Sequence, residues 1–162
     1  MSPVLTQTTT IRPITDNDLD TIVDLNQDAL EGVGPLDRAK AAELVAMADQ
    51  ALVMEDDGDI AGFVITLPPG VDYDSSRYHW FDGYFDTDDY VYLDRIVVSA
   101  DHRRKGVASR LYEAIERDKP IGLEVYDHND GSLAFHTGRG FREVGVLAEN
   151  GLVNVMMVRL PA

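Results

Sequence analysis

The residues best equipped for chemistry lie at positions 93–112, LDRIVVSADHRRKGVASRLY. An apolar, β-branched run ends at Ser99-Ala100-Asp101-His102. Three consecutive cations follow, Arg103, Arg104 and Lys105, then Gly106 and a stretch with helical spacing at Val107, Leu111 and Ile115. The first N–H groups of a helix have no partner inside it, the helix dipole adds positive potential there, and glycine lets an anion come close to the main chain. Together these features make a cradle for a phosphate or pyrophosphate. The plainer alternative is a basic turn ahead of a helix, but cations are disfavoured at that end unless an anion is bound.

Other phosphate loops do not fit. There is no G-x-x-x-x-G-K-[ST], and neither Gly32-Val33-Gly34 nor Gly138-Arg139-Gly140 extends to G-x-G-x-x-G after a strand. Residues 86–89 lack the glycine and terminal glutamate of a calcium loop, and no histidine pair has zinc spacing, so no metal is expected. With Cys 0, disulfides, thiolate metal sites and cysteine nucleophiles are excluded. The 14 basic and 29 acidic residues leave a net charge of −15, which argues against nucleic acid and favours a cationic small molecule or basic peptide. Acidity that serves solubility alone is the competing explanation.

The elements that must position this segment follow from periodicity. A length of 162 residues predicts one domain, 1–162. No apolar run reaches the roughly 20 residues that cross a bilayer, and MSPVLTQTTTIRP has no signal-peptide pattern, so the expected location is cytoplasmic, away from membranes. Strands are predicted at 8–12, 51–55, 60–67, 90–98, 121–126, 141–147 and 152–160, with turns at Asp56-Asp57-Gly58-Asp59 and Asn150-Gly151. Helices are predicted at 16–30, capped by Thr15 or Asp16, and at 36–48, 106–117 and 132–138. Residues 71–89, dense in aspartate and aromatics, read as a long connection. The order β-α-α-β-β-β-α-β-α-β-β implies an α/β fold, a mixed sheet of about six to seven strands flanked by about four helices.

At this point the sequence resembles a family. Arg103-Arg104-Lys105-Gly106-Val107-Ala108 matches the Q/R-x-x-G-x-G/A signature of the GNAT superfamily of acyl-CoA-dependent N-acetyltransferases, between a strand and a helix. A second block, Asn129 followed by Ser132-Leu133-Ala134-Phe135-His136-Thr137-Gly138-Arg139-Gly140-Phe141, is similar to the family's N-x-x-(S/A)-x-x-F-Y-x-x-x-G-F. The resemblance covers nearly the whole chain and looks like a bacterial subgroup of predicted acetyltransferases.

The resemblance implies acetyl-CoA as cofactor. Its pyrophosphate would be held by the backbone amides of Arg103, Arg104, Lys105, Gly106, Val107 and Ala108, with Ser109 next in line. Ile96, Val97 and Val98 would lie beside the thioester, one amide stabilising an oxyanion. Asn129 and Phe135 would line the far side of a slot between the fourth and fifth strands. Asp94 stands where many members carry a glutamate and is expected to act as base, or else to be a satisfied strand carboxylate paired with Arg95. The family's tyrosine acid is replaced by His136, with Tyr126 a weaker alternative. Tyr78, Trp80 and Tyr90 are expected to wall the acceptor site, with Asp82 or Asp86 as counter-charges for an amine, or simply to pack the long connection. The expected activity is acetyl transfer to a primary amine of a small molecule or peptide in a ternary complex. A non-catalytic acyl-CoA-binding regulatory module is the alternative, and a homodimer through the last strands is a further expectation.

Overall fold

The computed structural model describes residues 9–161. Among the described residues seven strands form one sheet: β1 (Thr9–Pro13), β2 (Gln50–Asp56), β3 (Asp59–Leu67), β4 (Val91–Val98), β5 (Ile121–Tyr126), β6 (Arg142–Glu149) and β7 (Leu152–Arg159). Their order is β1-β2-β3-β4-β5-β7-β6, and the β4–β5 pair alone is parallel. One face carries α1 (Leu19–Gln27), α2 (Arg38–Met47) and α3 (Ser76–Tyr84). The other carries α4 (Val107–Ile115) and α5 (Asp130–Gly138). Among the described residues no helix is long and apolar enough to cross a membrane, and no cluster of His, Asp or Glu could hold a metal ion.

Most elements fall where the periodicity puts them. The first strand covers the predicted one from Thr9 onward; Thr8 lies outside the described residues. The predicted helix at 16–30 splits into a short 3-10 turn, Asp16–Asp18, and α1; Asp18 accepts the Thr15 N–H at 2.7 Å and a two-pronged ion pair from Arg12.

The long connection is the exception, because α3 lies inside it and is the fifth helix. Ser75 caps it by accepting the Tyr78 N–H, and Tyr78 and Phe81, three residues apart, make its buried face. Two glycines give it a seat on the sheet. A Cβ on Gly122 of β5 would stand 2.8 Å from Phe81, and one on Gly145 of β6 would stand 2.6 Å from Trp80.

Strand β4 contains the irregularity that shapes the site. Ile65 pairs with Arg95 while the next residue, Thr66, pairs with Leu93, so Asp94 is an extra residue in a β-bulge. Val91 and Leu93 face the α4 layer, and beyond the bulge Ile96 and Val98 do, while Val97 packs into the α1–α2 core. The alternation of the strand is reversed at Asp94. As a result Asp94 and Arg95, neighbours in the chain, meet through an Arg95 Nε to Asp94 Oδ2 bond of 2.7 Å.

Candidate active site

The turn between β4 and α4 is built from backbone. Arg104 has φ +63° and Gly106 φ +77°, both left-handed, and Gly106 is the N-cap of α4. Successive residues of mixed handedness turn their N–H groups to one side and form a concave nest for an anion. From residue 103 to residue 109, no backbone N–H donates to a carbonyl or side chain among the described residues. Val107 is buried and anchors the helix start, whereas Arg103, Arg104, Lys105 and Gly106 are exposed. Arg103 lies 3.8 Å from the exposed Glu31; Arg104 and Lys105 make no ion pair among the described residues. These donors and charges fit a pyrophosphate, and the non-glycine left-handed residue costs about 1 kcal/mol, a strain typical of ligand turns.

Beside this turn the sheet opens. Strands β4 and β5 pair only at Val91 with Ile121 and Tyr92 with Gly122, then diverge. The gap is a cleft lined by Leu93, Asp94, Arg95 and Ile96 of β4 and Leu123, Glu124 and Tyr126 of β5. Ser132 and His136 of α5, Arg77 of α3, Asn154 of β7 and Gly32, Val33 and Gly34 of the α1–α2 loop complete it. The Ser99 N–H bonds Ala61 O of β3. By strand alternation the Val97 N–H also faces β3, which leaves those of Ile96 and Val98 pointing to the side from which β5 has diverged; of the three residues, Ile96 lines the slot.

Within the slot the titratable groups divide by their partners. Both Asp94 oxygens are engaged, Oδ1 by the Tyr73 hydroxyl at 2.8 Å and Oδ2 by Arg95, and its side chain is 2% exposed. Arg95 also donates to Asn26 Oδ1 at 2.9 Å and to the Gly34 carbonyl at 3.2 Å, so the pair ties β4 to α1 and the loop beyond it. Glu124 was not singled out in the sequence. Its side chain is 12% exposed, Tyr92 donates to it, and burial, only partly offset by Arg77 at 3.6 Å, pushes its carboxyl up to about 7. The signal that could have found it is one acid inside the apolar run of β5.

His136 lines the slot but is 5% exposed and its ring is fully used. Nδ1 meets the Ser132 carbonyl at 2.8 Å, which fixes the proton there, and Nε2 accepts from the buried Tyr112 hydroxyl. Burial lowers its pKa. Tyr126, half-buried and stacked on His128, has a hydroxyl without a hydrogen bond among the described residues. Asn129 caps α5 through Ser132 N at 3.2 Å, and its amide lies against Gly32; Phe135 packs on Tyr112 behind the slot.

The three aromatic residues expected at the acceptor site do not line this slot. Tyr78 is in the core, its hydroxyl donating to Pro68 O at 2.6 Å. Trp80 covers Gly145, and Tyr90 stacks on Phe85 at 4.3 Å with its hydroxyl on Asp82. Tyr90, Asp82 and Asp86 share a separate depression. The physical reason is α3: as a helix, this segment turns its aromatics onto the sheet and brings Arg77 to the slot instead.

Comparison with known proteins agrees with this geometry. The family model described as Acetyltransferase (GNAT) family matches residues 19–141. No curated protein matches in sequence. Among solved structures, Ard1 from Thermoplasma volcanium superposes with a TM-score of 0.77 at 21% identity, covering 95% of this chain and 98% of that one. The ribosomal-protein-S18-alanine N-acetyltransferase from Escherichia coli gives 0.70 at 20% identity, with 95% and 94% covered. The ribosomal-protein-alanine N-acetyltransferase from Brucella melitensis gives 0.67 at 21%, with 93% and 99% covered. At these identities the likeness is one of fold.

Proposed function

The chain belongs to the acetyltransferase (GNAT) family, and from that premise we propose that it moves an acetyl group from acetyl-CoA to a primary amine of a small molecule or peptide, by direct attack in a ternary complex. When bound, acetyl-CoA supplies an activated thioester carbonyl and a thiolate leaving group. The amides of residues 103–109 hold the pyrophosphate. The Ile96 and Val98 amides, on the side from which β5 has diverged, hold the arm of the cofactor and stabilise negative charge on the reacting oxygen. No cysteine is present to carry an acyl group.

Glu124 takes the proton from the attacking amine. A carboxylate held near neutrality is ionised enough to accept a proton and basic enough to do so usefully. Asp94, with both oxygens engaged, positions Arg95 and Tyr73 instead. With the His136 proton committed to Ser132, Tyr126 is the slot residue whose O–H is free to give a proton to the leaving group.

The observation that carries this reading is the divergence of β4 and β5, which opens strand amides and a near-neutral carboxylate to one cavity. The test is release of free CoA from acetyl-CoA with a panel of amines, detected with a thiol reagent; release above the hydrolysis background is expected. One feature favours a second reading, a non-catalytic acyl-CoA-binding regulatory module. Both nitrogens of His136, at the family's acid position, are engaged. Thermal stabilisation by acetyl-CoA without release for any amine is the result that selects it.

A further inference from the structure

Arg77 has no role in the chemistry just described, yet it stands at the mouth of the slot. Its guanidinium makes no hydrogen bond among the described residues, and its Nε is buried without a hydrogen-bond partner. The nearest carboxylates are Glu124 at 3.6 Å and Glu149 at 3.8 Å, both beyond hydrogen-bond reach. A second depression adjoins the slot by sharing Gly34, Arg77, Tyr126 and Asn154, and adds Lys40 and Glu149. Lys40 is half-buried; its backbone N–H donates to Asp37 at 2.8 Å, and its ammonium makes no hydrogen bond or ion pair among the described residues. Burial and the neighbouring Arg95 and Arg77 lower its pKa. In a chain of net charge −15, two under-partnered cations therefore share one opening.

A half-buried guanidinium with unused donors can bind an oxyanion with two parallel hydrogen bonds. We propose that the acceptor is a small amine bearing a carboxylate, an amino acid-like molecule whose carboxylate is held by Arg77 and Lys40 while its amino group faces Glu124. The inference rests on the acyl-transfer reading above and narrows its acceptor. Because Arg77 stands 3.6 Å from Glu124, the anion and the amine it serves must lie within a few bonds of each other. An α- or β-amino acid meets that condition. A peptide N-terminus offers a neutral amide at the same place, and a polyamine offers a second cation that Lys40 and Arg77 repel. In the transfer the N–C bond forms as the C–S bond breaks, and the amine proton passes to Glu124 while the thiolate is protonated to the free thiol.

The test compares the protein amino acids with their carboxamides, matched pairs differing in one charge, by CoA release and by thermal shift in the presence of CoA. The carboxylates are expected to exceed their amides by about tenfold in kcat/KM. In Arg77→Gln that ratio should fall toward one, chiefly through KM. Arg77→Lys should restore part of it, and Lys40→Met should give an intermediate loss. Equal or better turnover of amides, peptides or polyamines by the wild type overturns the acceptor class and leaves acyl transfer standing. If no amine is acetylated, a thermal shift by the amino acid and not its amide, lost in Arg77→Gln, supports the carboxylate site while acyl transfer fails. No such shift overturns both.

Discussion

The Tyr92 hydroxyl bridges the two carboxylate oxygens of Glu124, at 2.9 and 2.8 Å, from the one stretch where β4 and β5 still pair. The contact holds the carboxylate in a single orientation at the base of the slot. Burial nevertheless outweighs this bond and Arg77, so the group titrates at about 7 rather than 4.5.

Glu124→Gln is expected to lower kcat by roughly 10²-fold or more with a smaller effect on KM. The wild-type rate should rise with pH through about 7, and the variant should lose that limb. A pH profile of kcat/KM for both proteins checks this; an unchanged limb in the variant assigns the base elsewhere.

The same carboxyl has a stability signature. Its folded pKa lies above its unfolded one, so the folded state binds the extra proton, and the stability this gives is fully present below about 4.5 and lost as pH rises through about 7. At pH near 8 Glu124→Gln should therefore be more stable than wild type, by on the order of 2 kcal/mol, with the advantage vanishing in acid. Urea unfolding at both ends of that range measures the difference.

At Gly106 a Cβ would meet no protein atom within 4 Å, yet φ is +77°. The cost of a side chain there is conformational. Gly106→Val should weaken acetyl-CoA binding at least tenfold, about 1.4 kcal/mol, whereas Gly106→Asn, which tolerates the left-handed region, should keep most of the affinity. Calorimetric titration of both variants separates backbone shape from bulk.

His136→Phe should destabilise the fold by about 1–3 kcal/mol, because the buried Tyr112 hydroxyl loses its acceptor. Turnover per folded molecule should stay within a factor of a few. The histidine's folded pKa is below its ordinary 6.5, so the stability it contributes is present above that value and is lost as pH falls below it. Thermal melts at pH 5 and 8, with rates measured well below each melting temperature, test both halves of the statement.

Gly145→Ala should cost about 1–3 kcal/mol, since its Cβ would lie 2.6 Å from Trp80, a ring also held by stacking on Tyr84 and by edge-on contact with Phe81. Trp80→Leu in the same background should recover part of the loss, as a double-mutant cycle would read.

What the sequence disclosed and what it withheld have separate physical origins. The turn at residues 103–109 was legible because its shape is local: a glycine, a helix start and a strand before it. Strand β5 matches its predicted bounds because its apolar run is short and bounded by Pro120 and Asp127. Helix α3 was missed because its aromatics, set among Arg77, His79 and Asp82, carry no plain apolar period; its buried face is recognisable only once Gly122 and Gly145 are opposite it. Glu124 and Arg77 owe their roles to where β4 and β5 separate and where α3 lands, relationships between distant segments that no spacing records.

The bulge at Asp94 makes chain length in β4 a property of the site. Deleting that single residue would leave Leu93 opposite Thr66, Arg95 opposite Ile65 and Ile96 opposite Val64, an unbroken ladder in which every later side chain keeps its present face. Lost with it would be the extra twist that a bulge gives a strand, next to where β4 parts from β5, and the carboxylate that holds Arg95 and Tyr73. A straighter β4 would run on beside β5, so a change of one residue in length here would narrow the slot while leaving the rest of the sheet in register.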